Sequence, residues 1–331
     1  MQAPSCSQGQ IINYQLSTTN YQLSIINYSI INYQLSTTNY QLSTIQLSTI
    51  NYSIINYLYS MLTVSELFIY PIKSLGGIAL SSATVTDRGF QYDRRWMLVD
   101  EQNNFITQRS FPQMALLQVA VTVAGLSVQH KITGDAISIP FTPASTATEM
   151  VQIWDDTCPA QFVSDRADEW FSQMLSMPCR LVFMPDTSRR KVEEGYAGNN
   201  EITSLSDGYP FLLVGQSSFD DLNSRLAEPL PINRFRPNIV FTGGQAFIED
   251  RLKHFILNGI NFFGVKPCSR CQVTTINQDN GAIAKEPLKT LAMYRRKNNH
   301  IYFGQNLLHN GEGIVQVGDE IIVHELQENN P

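Results

Sequence analysis

The chain is predicted to be mostly β with some α, its charged part forming two β-rich lobes packed with a few helices. Three observations predict this. Short β-branched and aromatic runs recur from residue 62 onwards. Pairs of them flank tight polar turns such as Glu101-Gln102-Asn103-Asn104 and Thr133-Gly134-Asp135. Only two stretches carry a helical pattern with a capping signal. Short strands joined by hairpins favour an antiparallel sheet closed into a barrel or folded as a sandwich.

In order, "SELFIYPI" (65–72) reads as a largely alternating strand. "RRWMLVDEQNNFITQR" (94–109) reads as two β-runs around its polar turn, and "LSVQHKITGDAISIPF" (126–141) repeats the device. "SDRADEWFSQML" (164–175) has helical apolar spacing behind a Ser cap, and "SSFDDLNSRL" (217–226) opens on Ser217 with acids in its first turn. The polar stretch 185–208 is longer than most connections and is expected to be a linker or an active-site loop. The chain closes on "GIVQVGDEIIVHEL", a strand, a Gly-Asp turn and a strand. The expected domains are 62–182 and 190–325.

Bulk properties narrow the function. The 331 residues suffice for two domains, and 43% apolar content supplies a large core. A net charge of −6 speaks against a nucleic-acid binder. Five scattered cysteines do not make a disulfide framework, so the reducing cytoplasm is expected. With no run of about 18 apolar residues, no transmembrane segment is expected.

Residues 1–60 differ from the rest. They contain no Asp, Glu, Lys, Arg or His and nearly repeat one phrase of about seven residues. Asn, Ser and Thr are poor helix formers, and the repeat lacks charged flanks, so a coiled coil is not expected. The heptanucleotide AACTATC, repeated, translates in every forward frame to cyclic Asn-Tyr-Gln-Leu-Ser-Thr-Ile, which recurs here almost verbatim. The segment therefore reads as translated repetitive DNA, low in complexity and disordered or spurious, with Met61 the expected natural start. N-terminal sequencing of the native protein tests this. The segment has neither the basic start of a signal peptide nor the arginines of a transit peptide.

The chemistry-bearing stretch is "GVKPCSRCQVTTIN" (264–277), with Cys268 and Cys271 three apart. A closed zinc site needs four ligands, and neither a second Cys pair nor a paired His motif accompanies this one. A thioredoxin-like dithiol should open a helix, whereas the β-branched "CQVTTIN" predicts a strand. Inert thiols in a turn remain the plain alternative. Against it stand Arg270 and Lys266, cations that lower a thiol's pKa and favour a thiolate, a soft metal ligand.

"YPIKSLGG" (70–77), "DRRW" (93–96), "NRFRPNIVF" (233–241) and "KPCSRCQVTT" (266–275), with "EDR" (249–251) and "VGDEI" (317–321), occur in that order. Together they resemble the MOSC-domain molybdenum cofactor proteins that carry an N-terminal MOSC β-barrel domain, the family of YcbX and the mitochondrial amidoxime-reducing components. The resemblance spans residues 62 to about 325. It implies an N-terminal antiparallel β-barrel-like domain packed against a β-barrel MOSC domain, and a molybdenum-pterin cofactor (molybdopterin) whose metal is held by Cys271. Cys268 matches a position that is not the ligand. Cofactor contacts carried over by matching motif positions fall on Lys73 and Ser74, Arg94, Arg236 and Asn238, Ser269 and Arg270, and Asn306 in "FGQN". Lys, Arg and N–H donors suit the phosphate and polar pterin. Asp207 in "SLSDGYPF" matches an acid facing the metal, a catalytic candidate for proton handling. Gly208 and Tyr209 depart from the small hydroxyl residues of the mitochondrial relatives.

The resemblance implies a cytoplasmic reductase of N-hydroxylated compounds: amidoximes, hydroxylamines or N-hydroxylated bases. Two electrons and two protons would convert N–OH to N–H and water. No cysteine follows Cys271, so the C-terminal ferredoxin domain of many YcbX-type proteins is not expected. A separate electron-transfer protein is therefore expected: a ferredoxin, a flavodoxin, or a b-type cytochrome with its reductase. The alternative is a cofactor carrier or sulfur-handling module, since MOSC domains also end the molybdenum cofactor sulfurases, whose upstream domain binds pyridoxal phosphate. Such a domain is not expected within these 331 residues.

Overall fold

The computed structural model describes residues 62–143, 145–193, 195, 196, 198 and 201–327. The reading of residues 1–60 lies outside them.

β1 (Thr63–Ile69) buries Val64, Leu67 and Ile69. A bulge between Val64 and Glu66 in its pairing with a later strand explains the break in alternation, because one extra residue flips the facing side chains. β2 (Ile78–Leu80), β3 (Ser82–Thr86), β4 (Gly89–Phe90) and β5 (Trp96–Val99) follow. The second β-run expected after the 101–104 turn does not form. Phe105 makes one bridge to Val99, then the chain turns at residues 107–110. The turn is fixed by Gln108, fully buried, whose Nε2 donates to the Ser74 carbonyl at 2.6 Å.

β7 (Gly125–His130) and β8 (Ala136–Pro140) form the expected hairpin, and β6 (Leu117–Val121), which was not expected, pairs with β7 to make a three-stranded meander. β9 (Thr148–Ile153) and β10 (Asp156–Phe162) make a hairpin with Trp154 and Asp155 at its tip. α1 (Asp165–Leu175) starts as expected, with Ser164 Oγ accepting from the Ala167 N–H, and buries Ala167, Phe171 and Leu175. β11 (Arg180–Phe183) completes a four-stranded sheet in the order β5-β11-β10-β9. Ile72, Trp96, Leu98, Leu126, Ile139, Phe171 and Leu181 form the core between these elements.

β12 (Arg190–Lys191) and β13 (Ile202–Thr203) pair within the long polar stretch. β14 (Phe211–Gly215) is buried throughout and leads into α2 (Gln216–Ser224). This helix is not capped by Ser217. Its N-cap is Gly215, and the buried Glu249 carboxylate accepts from the Gly215 N–H (3.1 Å) and Ser218 Oγ (2.7 Å). A carboxylate supplied from elsewhere satisfies the helix start.

The remaining strands are β15 (Ile239–Thr242), β16 (Leu252–Leu257), β17 (Ile260–Ser269), β18 (Arg296–Lys297), β19 (His300–Asn310), β20 (Gly313–Gln316) and β21 (Ile321–Leu326), with α3 (Leu288–Leu291) before β18. The main sheet runs β2-β1-β15-β14-β19-β17-β16-β21, and β18 pairs with β19. The fold is mostly β, as expected. The two halves interlock: β1 and β2 join strands beyond residue 210, and β20 pairs with β3. β20 and β21 therefore flank a turn yet belong to different sheets.

β17 delivers the cysteine pair. It bulges between Gly264 and Lys266 against β19. A methyl on Gly264 would lie 2.0 Å from the Leu252 carbonyl oxygen. Gly264→Ala is expected to destabilise the protein by about 1–3 kcal/mol, the usual range for overpacking. An unchanged urea midpoint would show that the strand yields freely.

The expected strand after Cys271 is absent. Gln272–Thr275 is a 3-10 turn with Cys271 at its N-cap. Thr274 Oγ1 donates to the Cys271 carbonyl (3.0 Å) and Thr275 Oγ1 to that of Gln272 (2.8 Å). These local bonds compete with strand pairing and override the β-branched preference.

Candidate functional site

A cleft of about 650 Å³ gathers all ten candidate residues: Lys73, Ser74, Arg94, Asp207, Arg236, Asn238, Ser269, Arg270, Cys271 and Asn306. They come from positions more than 200 residues apart, joined by the interlocked sheets. The lining includes eight cationic side chains against four carboxylates, in a chain of net charge −6. Such a concave positive field concentrates anions.

Three candidates adopt the left-handed backbone region without being glycine: Ser74 (φ 68°), Arg94 (φ 48°) and Arg236 (φ 54°). Each such residue costs on the order of 1–3 kcal/mol and persists only where its surroundings fix it. Here the clamp is visible. The Arg94 N–H donates to the Tyr70 carbonyl (2.9 Å). Its Nη1 donates to Asp93 Oδ2 (2.6 Å) and Asn238 Oδ1 (3.0 Å). Arg236 Nη1 donates to the Leu75 carbonyl (2.7 Å). The guanidinium carbons of Arg94 and Arg236 lie 4.3 and 4.2 Å from the centre of the Tyr70 ring. Burial, reinforced by the Arg94 charge, brings the Arg236 guanidinium down to about 10.

Asn238 is mainly scaffold. Its Oδ1 also accepts from the Leu212 N–H, and its Nδ2 donates to the Phe68 carbonyl. The Ser269 hydroxyl pairs with His300 Nδ1 at 3.1 Å. Asn306 lines the cleft from β19, opposite Lys266 in the ladder.

Lys73 and Asp207 form a pair at 2.6 Å. Lys73 Nζ is buried and also donates to the Leu205 carbonyl (2.9 Å). The Asp207 side chain is 67% exposed to the cleft. Burial, only partly offset by Asp207, pulls the Lys73 ammonium down to about 8. Burial opposes the Asp207 charge, but Lys73, with Arg109 and Arg94 behind it, holds the carboxyl well below the usual range. Asp207 is thus ionised at neutral pH. In this state it is a hydrogen-bond acceptor.

Two expectations about the cysteine pair change. Arg270 Nη1 points at Cys268 Sγ (2.9 Å), the cysteine not expected to be the ligand, while its Nη2 donates to the Phe235 carbonyl. Burial nevertheless pushes the Cys268 thiol up. Lys266 is bound to Glu193 at 2.9 Å instead of facing a thiol. Both cysteines are free thiols.

Several lining residues escaped the sequence reading. Trp154, at the β9–β10 tip with φ 55°, reaches the cleft and donates from Nε1 to Asp207 Oδ1 at 3.3 Å. Arg109 stacks 4.0 Å from its ring centre. Glu193 accepts from both Lys266 and Tyr209 Oη. A large aromatic side chain at the apex of a two-residue hairpin was the available signal. The Nε atoms of Arg109 and Arg270 are buried without a hydrogen-bond partner among the described residues. Orphaned donors of this kind on a cationic cleft suit an anionic ligand.

Two family models match the chain: the MOSC N-terminal beta barrel domain over residues 61–178 and the MOSC domain over residues 200–322. Mitochondrial amidoxime-reducing component 1 of Mus musculus is 32% identical over 278 residues, covering 78% of this chain and 81% of that protein. Its Homo sapiens counterpart is 30% identical over 277 residues, covering 78% and 82%. The molybdenum cofactor sulfurase of Oryza sativa subsp. japonica is 30% identical over 286 residues, covering 80% of this chain and 34% of that protein.

Proposed function

The chain belongs to the family of MOSC proteins that carry the MOSC N-terminal β-barrel domain, and on that premise we propose that it is a molybdenum-pterin-dependent reductase of N-hydroxylated compounds in the cytoplasm. Relatives named for amidoxime reduction and for molybdenum cofactor sulfuration both support a molybdenum-cofactor-associated role. One observation supports the reading most. A cysteine thiol, Cys271, shares a cleft with a surplus of cations, two of which keep buried N–H donors unpaired.

The residues present fit the group. Cys271 is the soft donor. Lys73, Arg94, Arg236 and Arg270 surround the space an anionic pterin phosphate would occupy. When bound, the cofactor supplies the two-electron redox chemistry. The chain supplies the rest. Ionised Asp207, tied through one oxygen to Lys73 and Trp154, offers an acceptor to an N–H or O–H of the substrate. Lys73 can hold or release a proton near neutral pH. A separate electron-transfer protein supplies the electrons. Among the described residues no helix is long and apolar enough to cross a membrane.

The test is molybdenum content together with benzamidoxime reduction driven by a strong artificial donor. Near-stoichiometric metal with turnover supports the reductase. Near-stoichiometric metal without turnover favours the carrier or sulfur-handling reading, which the equally extensive match to the sulfurase keeps in view.

A pH effect follows from Lys73. In the apo-protein it loses its charge as pH rises through about 8, weakening capture of an anionic cofactor. Cofactor loading of apo-protein is expected to be lower at pH 9 than at pH 7, and Lys73→Arg, which stays charged, is expected to remove the difference. Equal loading at both pH values by the unaltered protein would remove Lys73 from anion capture.

A further inference from the structure

We propose that the basic segment Lys285–His300 is the docking face for a small acidic electron-carrier protein that feeds the Cys271 site. The inference rests on the reductase reading above and adds where the electrons enter.

The segment carries Lys285, Lys289, Arg295, Arg296 and Lys297 against one acid, Glu286, in a chain of net charge −6. Glu286 is engaged at the start of α3, its Oε2 accepting from the Thr290 N–H at 3.0 Å. Arg295 is paired with Asp250. Lys285, Lys289, Arg296 and Lys297 are exposed. Two apolar side chains are also exposed, Met293 (74%) within the segment and Ile283 (52%) just before it. Exposed cations in the same segment as an exposed apolar side chain offer electrostatic steering together with a contact surface.

Position makes the patch more than a solvated charge run. The segment is fastened to both sides of the cysteine loop. On one side Ala284 N–H donates to the Thr275 carbonyl (3.1 Å), and Ile283 bridges Ile276. On the other side Arg270 N–H donates to the Ile301 carbonyl (2.7 Å), and His300 Nδ1 pairs with Ser269 Oγ. A carrier seated on this face is separated from Cys271 by backbone directly bonded to the residue next to it. The tip is a tight hairpin, with Asn298 (φ 48°) and Asn299 (φ 63°) both left-handed, as a two-residue turn matching strand twist requires. Arg296 and Lys297 are thus presented on a defined turn.

In the reaction served, the carrier delivers two electrons in single steps. With two protons they break the N–O bond, giving N–H and water while two carrier molecules are oxidised.

The experiment uses molybdenum-loaded protein and an acidic 2Fe–2S ferredoxin as probe, with a basic c-type cytochrome as control. Binding is titrated at low and at 0.3 M salt, and benzamidoxime reduction is driven either by ferredoxin or by a reduced viologen. The double variant Arg296→Glu/Lys297→Glu is expected to weaken ferredoxin binding by about tenfold or more at low salt, as loss of rim charges does, and to slow only the ferredoxin-driven rate. Arg166→Glu on α1 is expected to leave both unchanged. Undiminished binding by the double variant, equally tight binding of the basic cytochrome, or an equal fall in the viologen-driven rate would overturn the docking face. So would binding of anionic vesicles with no binding of ferredoxin. If the unaltered protein shows no viologen-driven turnover, the reductase reading fails, while the titration still decides the docking face.

Discussion

Cys271→Ser is expected to leave a folded protein that no longer retains molybdenum. The residue holds its place through its backbone: its carbonyl accepts from the Thr274 N–H and Oγ1, and neither bond involves the thiol. Serine has nearly the same shape, so the urea midpoint should hardly move; substitutions away from strain or packing usually fall within about 0.5 kcal/mol. The chemistry changes sharply, because a neutral hydroxyl is a hard, weak donor where a thiolate is soft and strong. Disturbing a group that merely supports a ligand costs about 10- to 100-fold in metal affinity, so removing the proposed ligand should cost on the order of 100-fold or more, with activity lost in step. Cys268→Ser alters the contact from Arg270 Nη1 to its sulfur and the long one from that sulfur to the Ser269 carbonyl, and should stay within about tenfold. The pair of variants separates the two chemistries of a CxxC. Equal loss in both would hand the reaction to a dithiol, and full metal content in Cys271→Ser would remove this sulfur as the ligand.

The contrast between the two cysteines shows what the sequence could carry. That Cys271, Lys73, Arg94 and Arg236 share one cleft was legible from four motifs in order, and Asp207 from the separate stretch "SLSDGYPF", although single-sequence patterning gives no reason for residue 73 to meet residue 271. Roles were less legible than membership. Arg270 was expected to favour a thiolate, and it does so at Cys268, where burial outweighs it. Side-chain direction depends on the 3-10 turn after Cys271, and β-branched Val273, Thr274 and Thr275 predict a strand there until the threonine hydroxyls bond back to the chain. The helix starting near Ser217 was legible, but its cap was not, since Glu249 lies more than thirty residues away. Trp154 escaped because a hairpin tip is normally a polar turn, and only tertiary placement reveals what it touches. Short-range signals (the 126–141 hairpin, the Ser164 cap, the closing Gly-Asp turn) came through, whereas the second run of the 94–109 hairpin did not, and the interlocking of β1 and β2 with β15 depends on contacts with no local signature.

The largest stability effect is expected at Asp93, which chemistry alone would not single out. It is almost fully buried. One carboxylate oxygen accepts from the Tyr70 N–H at 2.8 Å and the other from Arg94 Nη1 at 2.6 Å. Tyr70 lies between the Arg94 and Arg236 guanidiniums and anchors its hydroxyl on the Pro237 carbonyl at 3.0 Å. Asp93 is therefore the counter-charge for two arginines on one aromatic ring, and it braces Arg94 in its left-handed backbone conformation. Asp93→Ala would strand a buried guanidinium and a buried backbone N–H together. Breaking a buried ion pair from one side typically costs about 3–5 kcal/mol, because the remaining charge stays desolvated. Asp93→Asn keeps an acceptor but not the charge and should fall between. Urea denaturation of both variants measures this, with cofactor content as the second readout, since freed arginines would no longer present their N–H groups to the cleft in fixed directions. A loss below about 1 kcal/mol in Asp93→Ala, the level of an exposed pair, would mean that water reaches Arg94 and that the strained arginines are held by the backbone alone.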